Sequence, residues 1–185
     1  MVNKIAALQI DKTWSLFLDR DGVINKKLDN DYVKTTEEFE FIEGAEVALQ
    51  EMNEIFGKLF VVTNQQGIGK GIMSHADLKA VHDYMELGLK SVGVKFEAIY
   101  YCPTLAAENA PCRKPNIGMA LQAKEEFPDV NFSKSILIGD SVTDIQMGKR
   151  AGMKTVYIND SLNNPENADW VVKSLVEFSA ILKNC

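Results

Sequence analysis

Short apolar runs alternate along the chain with longer stretches in which apolar residues recur every three or four positions. The runs cover residues 16–18, 59–62, 99–101, 136–138 and 155–158. Short apolar runs are typical of buried strands, and their alternation with helical patterns is typical of a parallel sheet. The pattern predicts an α/β fold with a doubly wound, mostly parallel sheet, completed by a last strand and helix after Ala168.

The longer stretches predict helices that cross from one strand to the next. The first carries Ala48, Met52 and Phe56 on one face and is expected to end at Gly57, a favourable C-cap residue. The second is expected to begin at Ser74, because an acidic residue three positions later completes a capping box. The remaining two are expected at residues 117–127 and 142–151.

Length and charge restrict the class of protein. The chain has 185 residues, of which 46% are hydrophobic, so residues 1–185 fit a single domain with one substantial core. Its net charge is −6, and its 20 Lys and Arg residues are scattered, which argues against a nucleic-acid or membrane partner. No apolar run is long enough for a membrane span or a signal peptide. We expect a cytoplasmic monomer that acts on a small molecule.

The cysteines give a weaker indication. The chain has 3 of them, Cys102, Cys112 and Cys185. An odd number in a chain of ordinary size argues against a disulfide framework. Free thiols and a partial metal site both remain open.

Polar residues follow three of the predicted strands directly. Asp19, Thr63 and Asp140 stand at these ends, and Lys114 lies in the loop after the third strand. Open α/β sheets bind their ligands at the carboxyl ends of the strands, so these four residues are candidates for one site. An Asp or Thr at such a position can also simply cap the next helix.

Asp19 and Asp21 lie two residues apart, and Gly22 allows the sharp turn that points both toward one cavity. Two carboxylates that close repel by roughly 4 kcal/mol at about 4 Å if the effective dielectric constant is about 20. A cation is therefore required. Carboxylate oxygens with no nearby histidine favour Mg²⁺, and Asp140 brings a further carboxylate to the same ion.

These motifs, in this order, resemble the four motifs of the haloacid dehalogenase (HAD) superfamily of phosphatases. The resemblance implies that Asp19 is a nucleophile that forms an aspartyl-phosphate and that Asp21 is the general acid and base. It also implies that Thr63 binds a phosphoryl oxygen and that Lys114 neutralises charge. The metal ligands would be the Asp19 carboxylate, the Asp21 main-chain carbonyl and Asp140.

Five segments carry a narrower resemblance within the superfamily, at residues 31–33, 39–44, 63–68, 100–103 and 112–115. They closely resemble the D-glycero-D-manno-heptose-1,7-bisphosphate 7-phosphatases, which are related to the histidinol-phosphate phosphatases. The intervals between the motifs leave no room for a cap domain, so the site is expected to be open. A bisphosphate substrate would suit Arg113, whose alternative role is a surface salt bridge. The loop at residues 64–72 is expected to help bind phosphate. The substrate-binding candidates are Asn64, Gln65, Gln66 and Arg113.

The chain departs from this family in its zinc loop. Cys102 and Cys112 remain, but Thr104 stands in place of the family's histidine and Ala110 in place of a third cysteine. Structural zinc takes four N or S ligands, so no zinc is expected. His82 is interpreted as a residue on a helix surface.

Two rival functions remain. The first is a phosphatase that acts on another small metabolite, such as histidinol phosphate or a sugar monophosphate. The second is a phospho-accepting receiver domain, which also combines acidic residues with a Thr and a Lys. The early Asp-x-Asp pair and the position of Asp140 after Lys114 favour turnover of phosphate over its storage.

Overall fold

The computed structural model describes residues 5–164 and 167–184. Six strands form one sheet, in the order β3-β2-β1-β4-β5-β6, and every neighbouring pair is parallel. The strands are β1 (Ser15–Leu18), β2 (Lys58–Asn64), β3 (Ala98–Cys102), β4 (Ser135–Gly139), β5 (Lys154–Ile158) and β6 (Trp170–Val172). The prediction of a doubly wound parallel sheet is confirmed.

In the described part of the chain, four α-helices connect successive strands from β1 to β5, and a fifth follows β6. They are α1 (Ala45–Ile55), α2 (His75–Ser91), α3 (Gly118–Glu126), α4 (Val142–Ala151) and α5 (Leu175–Lys183). The capping box predicted at Ser74 forms before α2, and a second capping box forms at Ser141 before α4. None of the described helices is long and apolar enough to cross a lipid bilayer.

One helix end differs from the sequence prediction. The C-cap of α1 is Phe56, and Gly57 follows it without a left-handed conformation. A Cβ atom at Gly57 would lie 1.9 Å from the carbonyl oxygen of Lys12. The glycine is therefore required by the close approach of two backbone segments, and not by helix capping.

The core consists of two layers, one on each face of the sheet. Alternate residues of a strand point to opposite faces, so Leu16 and Leu18 contribute to one layer and Phe17 to the other. Helices α1, α2 and α5 cover the first face, and α3 and α4 cover the second. Strands buried on both faces explain why the sequence shows continuous apolar runs instead of alternation.

The sheet topology brings the polar strand ends together. Leu18 of β1 pairs with Val61 of β2 on one side and with Ile138 of β4 on the other. The chain runs outward from β1 through β2 to β3 and then returns to β4, so β1 and β4 flank the point at which the strand order reverses. In open α/β sheets this switch point carries the ligand crevice.

Candidate active site

Asp19 lies at the centre of the crevice, directly after β1. Its backbone N–H donates to the carbonyl of Ile138 at 2.9 Å, which fixes it against β4. Its side chain receives two contacts from described residues, the Arg20 backbone N–H at 2.7 Å and the Lys114 ammonium at 2.8 Å, and both reach Oδ1. Burial raises the pKa of Asp19 to about 6, against the opposing effect of Lys114. These contacts leave Oδ2 as the oxygen that can react.

Lys114 contacts groups at the ends of β1 and β2 and in the first turn of α4. Its Nζ lies 2.8 Å from Asp19 Oδ1, 2.6 Å from Asp144 Oδ1 and 2.9 Å from the Val62 carbonyl oxygen. The side chain is almost fully buried. Burial alone would lower the pKa of Lys114, but the charges of Asp144 and Asp19 raise it above its usual value. The cation is therefore retained at neutral pH.

Asp144 was assigned no role from the sequence. It is fully buried, and its Oδ2 accepts hydrogen bonds from the Ser141 N–H at 3.0 Å and the Ser141 hydroxyl at 2.5 Å. The other oxygen pairs with Lys114. Asp144 thus caps α4 and orients the buried lysine, and the capping-box pattern that begins at Ser141 was the available sequence signal.

The Asp21 carboxylate is held by several N–H groups at the margin of the crevice. Arg20 Nη2 lies 2.8 Å from Oδ1 and 3.0 Å from Oδ2. Asn25 donates to Oδ1 at 3.0 Å, and Gln65 donates to Oδ2 at 2.9 Å. Burial would raise the pKa of Asp21, but the Arg20 charge and these hydrogen bonds together lower it.

Asp140 lies at the end of β4, against the turn at Gly22. A Cβ atom on Gly22, whose φ is +81°, would lie 2.2 Å from Asp140 Oδ2. Burial and the charge of Asp19 raise the pKa of Asp140. Its Oδ2 contacts the Lys27 ammonium at 2.9 Å, and its Oδ1 is buried without a hydrogen-bond partner among the described residues. An unpaired buried carboxylate oxygen is costly unless a cation or a donor meets it.

The carboxylate oxygens fit a divalent cation. One oxygen from each of Asp19, Asp140 and Asp144 lies within 4.8 Å of the others. Asp144 already pairs with Lys114 and Ser141, so Asp19 and the unpaired Oδ1 of Asp140 are the better ligands. An all-oxygen donor set with few protein carboxylates suits Mg²⁺.

The predicted site residues gather around one cavity of about 230 Å³. Its lining includes the candidates Asp19, Asp21, Thr63, Asn64, Gln66, Arg113, Lys114 and Asp140. Gln65 is absent from the lining because its side chain is buried, and its amide donates to Asp21 and to Thr63 Oγ1, each at 2.9 Å. Lys27, Asp31 and Tyr32 also line the cavity, although sequence reasoning assigned them no role.

Two of the predicted substrate-binding residues also hold the loops of the site. The Asn64 side chain accepts from the Lys114 backbone N–H at 3.1 Å and donates to the Lys114 carbonyl at 3.3 Å. Arg113 Nη1 donates to the Thr104 carbonyl at 3.0 Å. No salt bridge of Arg113 occurs within residues 5–164 and 167–184, so its alternative as a surface ion pair is not observed there.

The interpretation of His82 as a surface residue is wrong. Its side chain is buried, and its Nε2 lies 3.2 Å from Nη1 of the fully buried Arg20. The sequence contained a signal, because His82 falls within the helical stripe formed by Leu78, Val81, Met85 and Leu89. For Arg20 the sequence offered no such signal.

The cysteines also differ from expectation, because Cys102 and Cys112 form a disulfide with a Cα–Cα distance of 5.4 Å. Cys102 ends β3, and the following loop returns past this strand end before Lys114 enters the site. The number of cysteines in the sequence did not show that this loop brings Cys112 back to Cys102. The expectation that no zinc binds stays a prediction. Cys185 lies outside the described residues.

Comparisons with known proteins agree with this geometry. A family model described as HAD-hydrolase-like matches residues 111–178. The D-glycero-α-D-manno-heptose-1,7-bisphosphate 7-phosphatase of Campylobacter jejuni is 42% identical over 147 residues, which cover 80% of this chain and 83% of that protein. The D-glycero-β-D-manno-heptose-1,7-bisphosphate 7-phosphatase of Pasteurella multocida is 33% identical over 180 residues, which cover 91% and 96%.

A solved structure extends the similarity to the fold. The crystal structure of D,D-heptose 1,7-bisphosphate phosphatase from B. bronchiseptica, complexed with magnesium and phosphate, superposes with a TM-score of 0.83. The two chains are 28% identical, and the match covers 92% of this chain and 98% of that one. The match covers nearly all of that chain, in agreement with the prediction that no cap domain is inserted.

Proposed function

Because this phosphatase belongs to the family of heptose-1,7-bisphosphate 7-phosphatases among the HAD-like hydrolases, we propose that it removes the 7-phosphate of D-glycero-D-manno-heptose 1,7-bisphosphate in a Mg²⁺-dependent reaction. The observation that carries the proposal is the position of Asp19 between β1 and β4, where its Oδ1 is held and its Oδ2 is left to react. The relatives' substrate and the bound magnesium and phosphate of the solved neighbour support it.

The proposed reaction has two chemical steps on this chain's own side chains. In the first, Asp19 Oδ2 attacks phosphorus, and the bond from phosphorus to the C7 oxygen breaks while Asp21 gives a proton to that oxygen. Asp21 must take up this proton from solvent when the substrate binds, because Arg20 and the hydrogen bonds to the carboxylate lower its pKa in the free protein, and the negative charge of the bound phosphate opposes that effect. In the second, Asp21 takes a proton from water, which attacks the aspartyl-phosphate and releases inorganic phosphate. Lys114 balances the charge on Asp19, and Thr63 donates its hydroxyl to a phosphoryl oxygen.

Asp19, Asp140 and the main-chain carbonyl of Asp21 are the proposed Mg²⁺ ligands. The ion would supply charge neutralisation for the phosphoryl oxygens and for the pair of carboxylates. Asp140 suits this role because its buried Oδ1 lacks a partner among the described residues. Lys27 can balance the charge of Asp140 from the open side of the cavity.

The second phosphate of the substrate is proposed to meet Arg113. This side chain lines the same cavity as Asp19, and the hydrogen bond to the Thr104 carbonyl fixes its guanidinium. A guanidinium has five N–H donors in a planar fork that matches phosphate geometry. The monomeric state and the cytoplasmic location stay predictions from the sequence.

Two aspartate variants test the chemistry. Asp19→Asn removes the nucleophile and should abolish phosphate release, whereas Asp21→Asn should keep Mg²⁺ binding and slow turnover by about 10² to 10⁴. Phosphate release from the heptose bisphosphate and Mg²⁺ binding by calorimetry are the measurements. Near-wild-type activity of Asp19→Asn would refute the covalent mechanism.

A substrate panel tests the specificity. It should contain both anomers of heptose 1,7-bisphosphate, histidinol phosphate and a hexose monophosphate. We expect the bisphosphates to be preferred, and the α anomer above the β anomer, because the Campylobacter jejuni relative shares 42% identity and the Pasteurella multocida relative 33%. Equal kcat/KM across the panel would remove the heptose assignment and leave the general phosphatase activity.

A further inference from the structure

Arg20 places a fully buried positive charge between the crevice and α2. Its side chain is 0% exposed. Nη2 contacts both oxygens of Asp21, at 2.8 and 3.0 Å, and Nε lies 3.3 Å from Oδ1. A buried guanidinium is tolerated only when its donors are well paired, and here most of its pairing is with the proposed acid/base.

His82 supplies the remaining described contact of this guanidinium. Arg20 Nη1 lies 3.2 Å from His82 Nε2, although the two residues are 62 positions apart. Because a guanidinium only donates hydrogen bonds, Nε2 must accept, and the ring must be neutral with its proton on Nδ1.

The surroundings of His82 maintain the neutral ring. Burial and the charge of Arg20 lower the pKa of His82 to about 3, against the smaller opposing effects of Asp21 and Asp83. From β3, the Tyr101 ring packs against the imidazole with centroids 6.2 Å apart. His82 is therefore a permanent acceptor at neutral pH.

An arginine next to an aspartate in sequence does not fix that aspartate by itself. The arginine side chain has many rotamers, and a single contact leaves most of them accessible. The acceptor on α2 selects one rotamer, and in this rotamer Nη2 and Nε face Asp21. Asn25 and Gln65 then hold the carboxyl group from its other sides.

We propose that Arg20 and His82 are positioning residues for Asp21, in which His82 anchors the guanidinium and the guanidinium holds the Asp21 carboxyl group at the margin of the cavity. This inference rests on the acid/base role of Asp21 in the proposed function. It implies that replacing either residue slows the reaction of substrates that need proton transfer by Asp21 and has little effect on substrates that do not.

The leaving group of the substrate provides a test that general structural damage would not mimic. An alkyl phosphate, such as heptose 1,7-bisphosphate or glycerol 3-phosphate, requires protonation of its leaving oxygen. The 2,4-dinitrophenyl ester releases a stable anion and does not. We expect Arg20→Lys and His82→Leu to lower kcat/KM about 10- to 100-fold for the alkyl esters and less than about 3-fold for the dinitrophenyl ester, as a part of the general-acid effect.

Two further variants test whether the effect comes from the hydrogen-bond acceptor at His82. His82→Gln places an amide oxygen near the position of Nε2 and should restore most of the alkyl-ester activity that His82→Leu loses. His75→Leu is the control, because His75 lies on the same helix and contacts Tyr101 at 2.9 Å but not Arg20. It should leave both substrates unchanged. Thermal unfolding verifies that each variant is folded at the assay temperature.

A double-mutant cycle completes the test. In the Asp21→Asn background, Arg20→Lys should cause no further loss of kcat/KM, because a residue that acts through Asp21 has nothing left to position. An equal loss for both ester classes, or an additional loss in the Asp21→Asn background, overturns the positioning role. If Asp21→Asn lowers kcat/KM equally for the alkyl esters and the dinitrophenyl ester, the acid/base assignment in the proposed function is wrong, and the inference fails with it.

Discussion

Replacing Lys114 by Met removes the buried cation while keeping a side chain of similar length. At the 2.8 Å between Lys114 Nζ and Asp19 Oδ1, two unit charges attract by about 6 kcal/mol at an effective dielectric constant of about 20. Even if only a third of this energy, about 2 kcal/mol, acts on the ionisation of Asp19, the effect is larger than the energy of about 1.4 kcal/mol that corresponds to one pKa unit. The pKa of Asp19, about 6 with Lys114 present, would then rise above neutrality.

The sign of the effect follows from the charge. Loss of a neighbouring cation stabilises the protonated form of a carboxyl group, so Asp19 would lose its nucleophilic form at pH 7. We expect kcat/KM of Lys114→Met to fall at least about 100-fold at pH 7, since a charge that stabilises the transition state is also lost. The acid limb of the pH profile should move to higher pH.

The assay is phosphate release between pH 5 and 9 at a fixed Mg²⁺ concentration below saturation, because saturating Mg²⁺ would itself displace the proton of Asp19. The temperature is kept below the unfolding temperature of the variant. Lys79→Met is the matched control, because it removes an exposed ion pair with Asp83 on α2 and should change neither rate nor profile. If Lys114→Met keeps an unshifted acid limb and loses less than about 3-fold in kcat/KM, the electrostatic account of the buried lysine is wrong.

Two further predictions concern the Mg²⁺ site. Because burial raises the pKa of Asp19 to about 6, binding of the ion below this pH must displace a proton, and the apparent affinity should fall about tenfold per pH unit; calorimetric titrations that give one constant affinity from pH 5 to 7 would contradict this. Gly22→Ala places a Cβ 2.2 Å from Asp140 Oδ2 and should weaken Mg²⁺ binding at least about tenfold, whereas Gly71→Ala, at φ +69° with no atom within 4 Å of the added Cβ, carries similar backbone strain and should not.

The sequence was sufficient to predict the sheet and most of the crevice. The spacing of apolar residues shows which segments and which of their faces are buried, and this spacing can be read without the tertiary structure. The rule that parallel strands present their carboxyl ends at one edge then placed Asp19, Thr63 and Asp140 together. The boundaries of α4 and the N-terminus of α2 were also correct, because helix caps are local hydrogen bonds.

The partner of each buried polar group was decided only by the tertiary structure. Arg20 contacts His82 across 62 positions, and Lys114 lies between the carboxylates of Asp19, after β1, and Asp144, in the first turn of α4. Such contacts depend on how α2 packs over the sheet and on how the loop after β3 returns to the crevice. The same return joins Cys102 to Cys112. Periodicity shows which side chains are buried, but only the packing of the elements shows which of them meet.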